Sequence, residues 1–197
     1  MQNLLLAAGL GLRSEGKKLL LPYRGAPLVH HAVQQSLLAD LFTVVVTGYR
    51  ADEVRAAIED LACDKLLIVH NPDYEQGQGT STRVGACHLR EGESFFISLS
   101  DMPLIEARHY RHLARFATHE AVRPRYKGRM GHPVLLSPSF LSIIKNQDGP
   151  FTMRSLLSSY EVQAIDVEEE AYTLDIDTLD EYWALVASGR PPQSPPL

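Results

Sequence analysis

The sequence predicts a three-layer α/β domain, in which helices cover both faces of a mostly parallel sheet. Short apolar runs alternate along the chain with segments whose apolar residues recur at helical spacing. Several of these runs are apolar at nearly every position, as strands buried on both faces of a parallel sheet are. A glycine-rich turn follows the first run, at the end of a strand where such sheets bind their ligands.

The individual elements follow from the same patterns. We expect strands over 3–7, 42–48, 65–71, 94–100 and 162–168. We expect helices over 27–38, 51–61, 79–90 and 106–117. The apolar stripe of the first helix consists of Leu28, Val29, Ala32, Val33 and Leu37. Later in the chain we expect two extended arms over 121–137 and helices over 138–146, 152–160 and 178–188.

Length and composition indicate one acidic globular domain. The chain has 197 residues, of which 45% are hydrophobic, and a formal net charge of −5, which argues against a nucleic-acid-binding protein. We expect a single domain over residues 1–190 and a mobile proline-rich tail over 191–197. Two cysteines far apart in the chain favour a reducing cytoplasm, and neither a signal peptide nor a membrane span is expected.

The first loop combines a flexible backbone with positive charge. Gly9 and Gly11 let backbone N–H groups approach a ligand closely. Arg13, Lys17 and Lys18 follow in the same loop, where their charges would hold phosphate groups. The loop therefore predicts a nucleoside triphosphate as the ligand.

Two general phosphate-binding templates do not match this loop. In the dinucleotide fingerprint, Ser14 stands where the third glycine belongs. The spacing from Gly11 to Gly16 fits the P-loop, but Lys18 stands where that motif needs a hydroxyl for magnesium. Pro22 also follows too closely for the long helix that a P-loop opens. A P-loop NTPase that hydrolyses nucleotide without an acceptor is therefore a weaker alternative.

A third match is a family resemblance. Leu6-Ala-Ala-Gly, then Arg13, then Lys18-Leu-Leu-Leu-Pro resemble the signature of the MobA-like nucleotidyltransferases, although Gly16 comes one residue later than the family's glycine. The resemblance implies a Rossmann-like, nucleotide-diphospho-sugar-transferase-like fold and catalytic roles for Arg13, Lys18 and Asp101. The nucleotide-binding residues that it implies in this region are Leu6, Ala7, Ala8, Gly9, Gly11 and Lys18.

A carboxylate follows the strand expected over 94–100. Asp101, within Ser100-Asp-Met-Pro, could cap a turn, or it could hold Mg²⁺ against triphosphate oxygens. The sequence Asp-Met-Pro after an apolar strand resembles the family's metal-binding motif. The resemblance therefore implies Mg²⁺ at Asp101, with Mn²⁺ able to substitute, and a contact between Ser100 and the nucleotide.

The segment 71–85 resembles another family motif, in which Asn-Pro is followed by a glycine and then by a serine that opens a helix. Gly77 and Gly79 free the backbone, and Thr80 or Ser81 could cap the next helix. An ordinary glycine- and serine-rich turn fits the same residues. The resemblance implies that Asn71, Gly77 and Ser81 bind the nucleotide.

Near the end of the chain, Asp175-Ile-Asp-Thr resembles a further family motif, with Leu179 in place of the family's proline. Thr178 or Asp177 would cap the last helix, and capping explains most of this cluster. The resemblance implies in addition that Asp177 reaches the metal.

A basic run lies in the arms expected over 121–137. It consists of Arg123, Arg125, Lys127 and Arg129, with Tyr126 among them. A solvated hairpin and an RNA contact both fit this run.

The sequence Gly131-His132-Pro133 directly after that run resembles a family motif in the substrate pocket. Together with Arg154, these residues are implied to bind the acceptor. The segment 147–152 departs from the family's usual sequence at this point.

Together the motifs imply transfer of CMP from CTP to the phosphate of a molybdopterin-type molybdenum cofactor, with release of pyrophosphate. The resemblance favours CTP, because Leu-Ala-Ala-Gly is similar to the sequence of the cytidylyl-transferring members, whereas the guanylyl-transferring members have Leu-Ala-Gly-Gly. We hypothesise that the Ala8 methyl group narrows the base site. A molybdenum hydroxylase apoenzyme would then be a partner, while no nucleic acid and no membrane is expected. The alternatives are another phosphorylated acceptor, such as a sugar or alcohol phosphate, and a non-catalytic cofactor-binding chaperone.

Overall fold

The computed structural model describes residues 1–11 and 16–188, and most of its strands join one sheet. The described strands are β1 (Gln2–Ala7), β2 (Pro22–Tyr23), β3 (Ala26–Pro27), β4 (Phe42–Thr47), β5 (Leu66–His70), β6 (Phe95–Leu99), β7 (Ala121–Tyr126), β8 (Arg129–Met130), β9 (Val134–Leu136) and β10 (Gln163–Asp166). Their order across the sheet is β10, β7, β9, β6, β1, β4 and β5, with β8 paired to β7. The short strands β2 and β3 form a separate hairpin.

The large sheet is mostly parallel, which confirms the predicted α/β class. Strand β1 lies parallel to β4 and to β6, β4 lies parallel to β5, and β7 lies parallel to β10. Strand β9 runs antiparallel to both of its neighbours, β6 and β7. It is the second of the two extended arms, because the chain turns at Lys127 and Gly128, both at positive φ, and returns between β6 and β7.

Helices cover both faces of this sheet. They are α1 (Leu28–Leu38), α2 (Ala51–Ala56), α3 (Gln78–Ala86), α4 (Ala107–Ala114), α5 (Ser139–Lys145), α6 (Met153–Leu157) and α7 (Leu179–Ala187). Leu4 and Leu6 of β1 belong to a core with residues of α3, α5 and α6, whereas Leu5 and Ala7 belong to a core with residues of α1 and α2. Successive residues of one strand therefore face opposite helical layers.

Helix α3 packs directly on the sheet because residue 85 is a glycine. A Cβ atom at Gly85 would lie 2.7 Å from the Val46 side chain and 2.8 Å from the Leu4 side chain. This close contact fixes the height of α3 above β1 and β4. The first turn of α3 is thereby held next to the loops that follow the strands.

Helix α7 anchors the segment that precedes it. Thr178 is its N-cap and forms a capping box with Glu181, which confirms one of the two predicted caps. Tyr182 packs with Tyr23 and Ile176, and its hydroxyl donates a hydrogen bond to the Pro22 carbonyl at 2.6 Å. The segment before α7 is therefore anchored to the hairpin of β2 and β3.

Several predicted boundaries and caps differ from the structure. Helix α2 ends at Ala56, and α3 ends at Ala86 with tightened final turns, in which the His88 N–H donates to the Gly85 carbonyl. Thr80 and Ser81 do not cap α3, because its N-cap is Gly77 at φ 107°. The P-loop alternative was wrong, since residues 18–20 form a short 3₁₀ turn that leads into β2 rather than into a long helix.

Other expectations fall on parts of the chain that are not described. Arg13 and the tail over 191–197 lie outside the described residues. Within the described ranges, every helix is either too short or too polar to cross a membrane.

Candidate active site

A pocket of about 310 Å³ lies beyond the carboxyl ends of β1 and β6. The loop after β1 contributes Ala8, Gly9 and Gly11 to its wall, and the loop after β6 contributes Ser100 and Asp101. Ligands of open parallel sheets bind at this edge of the sheet. Motifs that are far apart in the sequence therefore meet in one cavity.

Lys18 lies on this wall with its ammonium group between two carboxylates. Its Nζ donates to Asp101 Oδ2 at 2.7 Å and to Asp177 Oδ1 at 3.2 Å. The side chains of Lys18 and Asp101 are only 13% and 19% exposed, whereas Asp177 is 48% exposed. Burial alone would lower the pKa of Lys18, but the charge of Asp101 and the hydrogen bonds to both carboxylates outweigh burial and raise it. The ammonium group therefore stays charged.

The second oxygen of Asp101 is suited to a metal ion. Asp101 Oδ1 is buried and has no hydrogen-bond partner among the described residues. Carboxylate oxygens are the ligands that Mg²⁺ and Mn²⁺ prefer, and Mg²⁺ is usually held by one or two carboxylates together with phosphate and water. No group of three or more His, Cys, Asp or Glu residues in 1–11 and 16–188 could hold a metal by itself. The donor set thus fits an ion that arrives with a nucleotide.

Asp175 is a third carboxylate near Asp101 and Asp177, and it was not predicted as a site residue. Burial, followed by the negative charges of Asp101 and Asp177, raises the pKa of the Asp175 carboxyl. Spacing was an available signal, because residues two apart in an extended segment point to the same side. A hydrogen bond from the Ile176 N–H to the Asp101 carbonyl, at 3.0 Å, ties this segment to the loop after β6.

The segment that contains Asp175 and Asp177 is anchored a second time, at Glu169. The Arg108 guanidinium donates to both carboxylate oxygens of Glu169 at 2.6 Å, and buried His109 contacts one of them at 3.2 Å. These contacts attach the segment to α4. Contacts with α4 and with α7 therefore position the segment that carries the carboxylates of Asp175 and Asp177.

The backbone around Ala8 is tightly confined. A Cβ atom at Gly48 would lie 2.7 Å from the Ala8 carbonyl oxygen and 2.6 Å from Tyr74. The Tyr49 N–H donates to that same carbonyl at 3.3 Å, and Ser100 Oγ donates to the Leu6 carbonyl at 2.7 Å. The loop after β1 is thereby held in position before any ligand binds.

Asn71 supports the pocket from inside the protein. It is fully buried, and its amide donates to the hydroxyl oxygens of Thr80 and Ser81, each at 2.9 Å. Asn71 therefore orients the first turn of α3, of which Gln78 and Ser81 line the pocket.

The residues predicted to bind the acceptor are not part of this pocket's lining. Gly131 is packed so closely that a Cβ atom there would lie 1.9 Å from the Tyr172 carbonyl oxygen, and the His132 N–H donates to that oxygen at 2.8 Å. Burial, and then the charge of Arg123, lowers the pKa of His132 to about 4. The His132 ring is therefore neutral at physiological pH.

The structure thus brings most, but not all, of the predicted residues to one cavity. Those that line it are Leu6, Ala8, Gly9, Gly11, Lys18, Gly77, Ser81, Ser100 and Asp101. Those outside its lining are Ala7, Asn71, Gly131, His132, Pro133, Arg154 and Asp177. The wall also contains Tyr49 and Tyr74, whose ring centroids are 6.4 Å apart. Neither tyrosine was predicted as a site residue.

Comparison with protein families gives a match over most of the chain. The model of the MobA-like NTP transferase domain matches residues 3–164. The molybdenum cofactor cytidylyltransferase of Escherichia coli (strain K12) is 29% identical over 89% of this chain and 90% of its own length. The nicotine blue oxidoreductase of Paenarthrobacter nicotinovorans is 30% identical over 93% of this chain and 95% of its own length.

Solved structures share the fold over nearly the full length. The crystal structure of Rv0371c from Mycobacterium tuberculosis H37Rv has a TM-score of 0.83 and 26% identity, and covers 94% of this chain and 96% of that one. Its complex with manganese has a TM-score of 0.79, with the same identity, over 95% of this chain and 98% of that one.

The arrangement around Asp101 predicts a metal-dependent gain in stability. Mn²⁺ added together with CTP should raise the Tm of the wild-type protein further than either does alone, because a ligand that binds only the folded state at about 100 times its Kd adds roughly 2.7 kcal/mol. Asp101→Asn should lose the metal-dependent part, whereas Asp64→Asn, at an exposed carboxylate, should keep it. Thermal unfolding followed by circular dichroism measures the Tm of each protein. An equal metal-dependent rise in Tm in all three proteins would contradict a metal site at Asp101.

Proposed function

The chain belongs to the MobA-like NTP transferase family, and we propose that it transfers CMP from CTP to the phosphate of a molybdopterin-type molybdenum cofactor, releasing pyrophosphate. The observation that carries this proposal is the contact of Lys18 with Asp101 on the wall of a glycine-lined pocket, with Asp177 as the second partner of Lys18. The similarity to a relative named as a molybdenum cofactor cytidylyltransferase supports the choice of nucleotide and acceptor.

In this reaction an oxygen of the acceptor phosphate attacks the α-phosphorus of CTP. The bond between the α-phosphorus and the oxygen that bridges it to the β-phosphorus breaks, and that oxygen leaves with pyrophosphate. The acceptor phosphate is already ionised at neutral pH, so no general base is needed. Phosphoryl chemistry of this kind depends on positioning and on stabilising charge rather than on a covalent intermediate.

The residues of the first loop supply the charge stabilisation. Backbone N–H groups of the loop after β1, around Gly9 and Gly11, would face the triphosphate. Lys18, together with Arg13, would stabilise the charge that develops on the leaving pyrophosphate. Mg²⁺ or Mn²⁺ held by Asp101 and Asp177 would neutralise phosphate charge when it is bound.

The first turn of α3 and the loop after β1 would hold the nucleoside. Ser81 offers a hydroxyl group to the pocket, and Gly77 and Ala8 form neighbouring parts of the wall. Asn71 acts through Ser81, which it orients. Leu6 and Ala7, at the end of β1, and Ser100, directly after β6, would lie behind the nucleotide.

We place the acceptor against Gly131, His132 and Pro133, with Arg154 beside them. A neutral His132 can hydrogen-bond a heterocycle without adding charge. Two exposed free cysteines support the expectation of a reducing cytoplasm, where a molybdenum hydroxylase apoenzyme would receive the product.

The test is pyrophosphate release in the presence of Mg²⁺ and molybdenum cofactor, with CTP and GTP offered separately. The proposal expects release only when CTP and the cofactor are both present. Release with a sugar or alcohol phosphate, but not with the cofactor, would reassign the acceptor. Binding of the cofactor without any release would indicate a chaperone. Oxidoreductase activity on nicotine blue, without release of pyrophosphate, would favour the chemistry named for the second relative.

Replacement of Lys18 should slow the chemical step. We expect Lys18→Ala to lower kcat by about 100- to 10,000-fold, because cations that stabilise a leaving phosphate supply that much. The control is Lys65→Ala, which removes an exposed lysine paired with Asp40. Steady-state kinetics on both variants, with circular dichroism to confirm the fold, give the answer. Near-normal kcat in a folded Lys18→Ala protein would remove Lys18 from the mechanism.

Ala8 should influence the choice of base. Ala8→Gly should shift the ratio of kcat/KM for CTP and GTP toward GTP by about 10-fold, because a methyl group removed from an apolar wall is worth that much discrimination. Both nucleotides are measured on the same preparation, so a general loss of activity cancels in the ratio. An unchanged ratio would contradict the role of the Ala8 methyl group.

A further inference from the structure

The structure divides the basic run of the hairpin into residues with different surroundings. Arg125 donates to both carboxylate oxygens of Asp166, at 2.7 and 2.8 Å. Lys127 lies over the ring of Tyr126, 5.0 Å from its centroid. Arg123, on the same strand, has no ion pair with any residue in 1–11 and 16–188.

The guanidinium of Arg123 is partly buried and poorly paired. Its Nε and one Nη donate to the Gly131 carbonyl oxygen at 3.4 and 3.3 Å, which are long hydrogen bonds. Burial, and then the charge of Arg154, lowers the pKa of Arg123. A cation in such surroundings costs free energy unless an anion joins it.

The charge of Arg154 acts on Arg123, so the two guanidinium groups lie near each other. Arg154 is in the first turn of α6, directly after Phe151 and Thr152. The Phe151 backbone covers the start of α3 so closely that a Cβ atom at Gly79 would lie 2.2 Å from its carbonyl oxygen. Arg154 therefore follows a segment that packs against the first turn of α3.

The sheet register shows how far Arg123 is from Asp101. Val122 pairs with Leu135, and Leu135 pairs with Phe96, so Arg123 is level with Ile97. Asp101 follows the end of β6 at Leu99, and β9 separates β6 from β7, so the strands that carry Arg123 and lead to Asp101 are about 10 Å apart across the sheet. We therefore treat Arg123 and the Lys18 cluster as separate groups.

We propose that Arg123 and Arg154 together bind an oxyanion at the end of the acceptor opposite to its reacting phosphate. This inference rests on the proposed function and specifies the acceptor as a molecule with a second anionic group, such as an oxo-metal centre or a further phosphate. Guanidinium groups suit this ligand, because their planar fork of N–H donors matches two oxygens of an oxyanion. Gly131, whose carbonyl is the present partner of Arg123, belongs to the same acceptor wall.

A first test does not depend on activity. Sodium molybdate and sodium phosphate are titrated separately into the full chain, and binding is followed by calorimetry. Wild type and Arg125→Met should retain a binding event that Arg123→Met lacks and that Arg123→Lys partly restores. Tighter binding of molybdate would favour the oxo-metal centre, and tighter binding of phosphate would favour a second phosphate.

Stability separates this proposal from a structural role. Without added anion, Arg123→Met should unfold at a Tm equal to that of wild type or about 2 °C higher, because a poorly paired buried charge has been removed. A Tm several degrees lower, together with unchanged anion binding, would overturn the proposal.

Kinetics then connect the site to the acceptor. Arg123→Met should raise KM for the molybdenum cofactor by about 10- to 100-fold, the value of a charged hydrogen bond, and should leave KM for CTP unchanged. Arg125→Met should change neither. An unchanged acceptor KM in Arg123→Met would overturn the proposal. If wild type releases no pyrophosphate with any acceptor, the proposed function fails and the anion titration alone decides the role of Arg123.

Discussion

The ion pair between Lys18 and Asp101 is the contact on which the rest of the site depends. It joins the loop after β1 to the loop after β6, and Asp177 extends it to the segment before α7. Like-charged carboxylates gathered at one edge of a sheet repel each other unless a cation lies between them. Lys18 provides that cation in the free protein. Under the proposed function, the metal ion would compete with Lys18 for the carboxylates, and the phosphates of the nucleotide would compete with the carboxylates for Lys18. Binding would therefore exchange the partners of these charges and leave none of them unpaired.

The surrounding structure keeps these groups in place through close backbone packing. Gly48 allows the Ala8 loop to approach Tyr74, and Gly85 allows α3 to rest on the sheet. The pocket walls are therefore fixed by contacts that any larger residue would block. Gly131 plays the same part at the proposed acceptor wall. Arg123 donates to its carbonyl there, and with Arg154 it would give the proposed acceptor cationic partners separate from Lys18.

Periodicity predicted the strands well and the three-dimensional contacts poorly. The ends of β1, β4, β5 and β6 were each predicted to within one residue, because long apolar runs between polar turns define them. The end of α1 was predicted correctly, but those of α2, α3, α4 and α6 were predicted three or more residues too late, since the final turns tighten without any change in composition. The position of β9 between β6 and β7 could not be predicted, because nothing local in its sequence specifies its neighbours. Motifs placed Lys18 and Asp101 in one site, but the burial of Asn71 and the isolation of Arg123 depend on contacts between distant segments.

The most direct measurement of the central claim is a crystal structure with CTP and Mn²⁺, in which anomalous scattering locates the metal. We predict a manganese ion within coordination distance of Asp101 Oδ1, with Lys18 Nζ moved from the carboxylates to a phosphate oxygen. A triphosphate bound elsewhere, with Lys18 still paired to Asp101 and Asp177, would contradict the account.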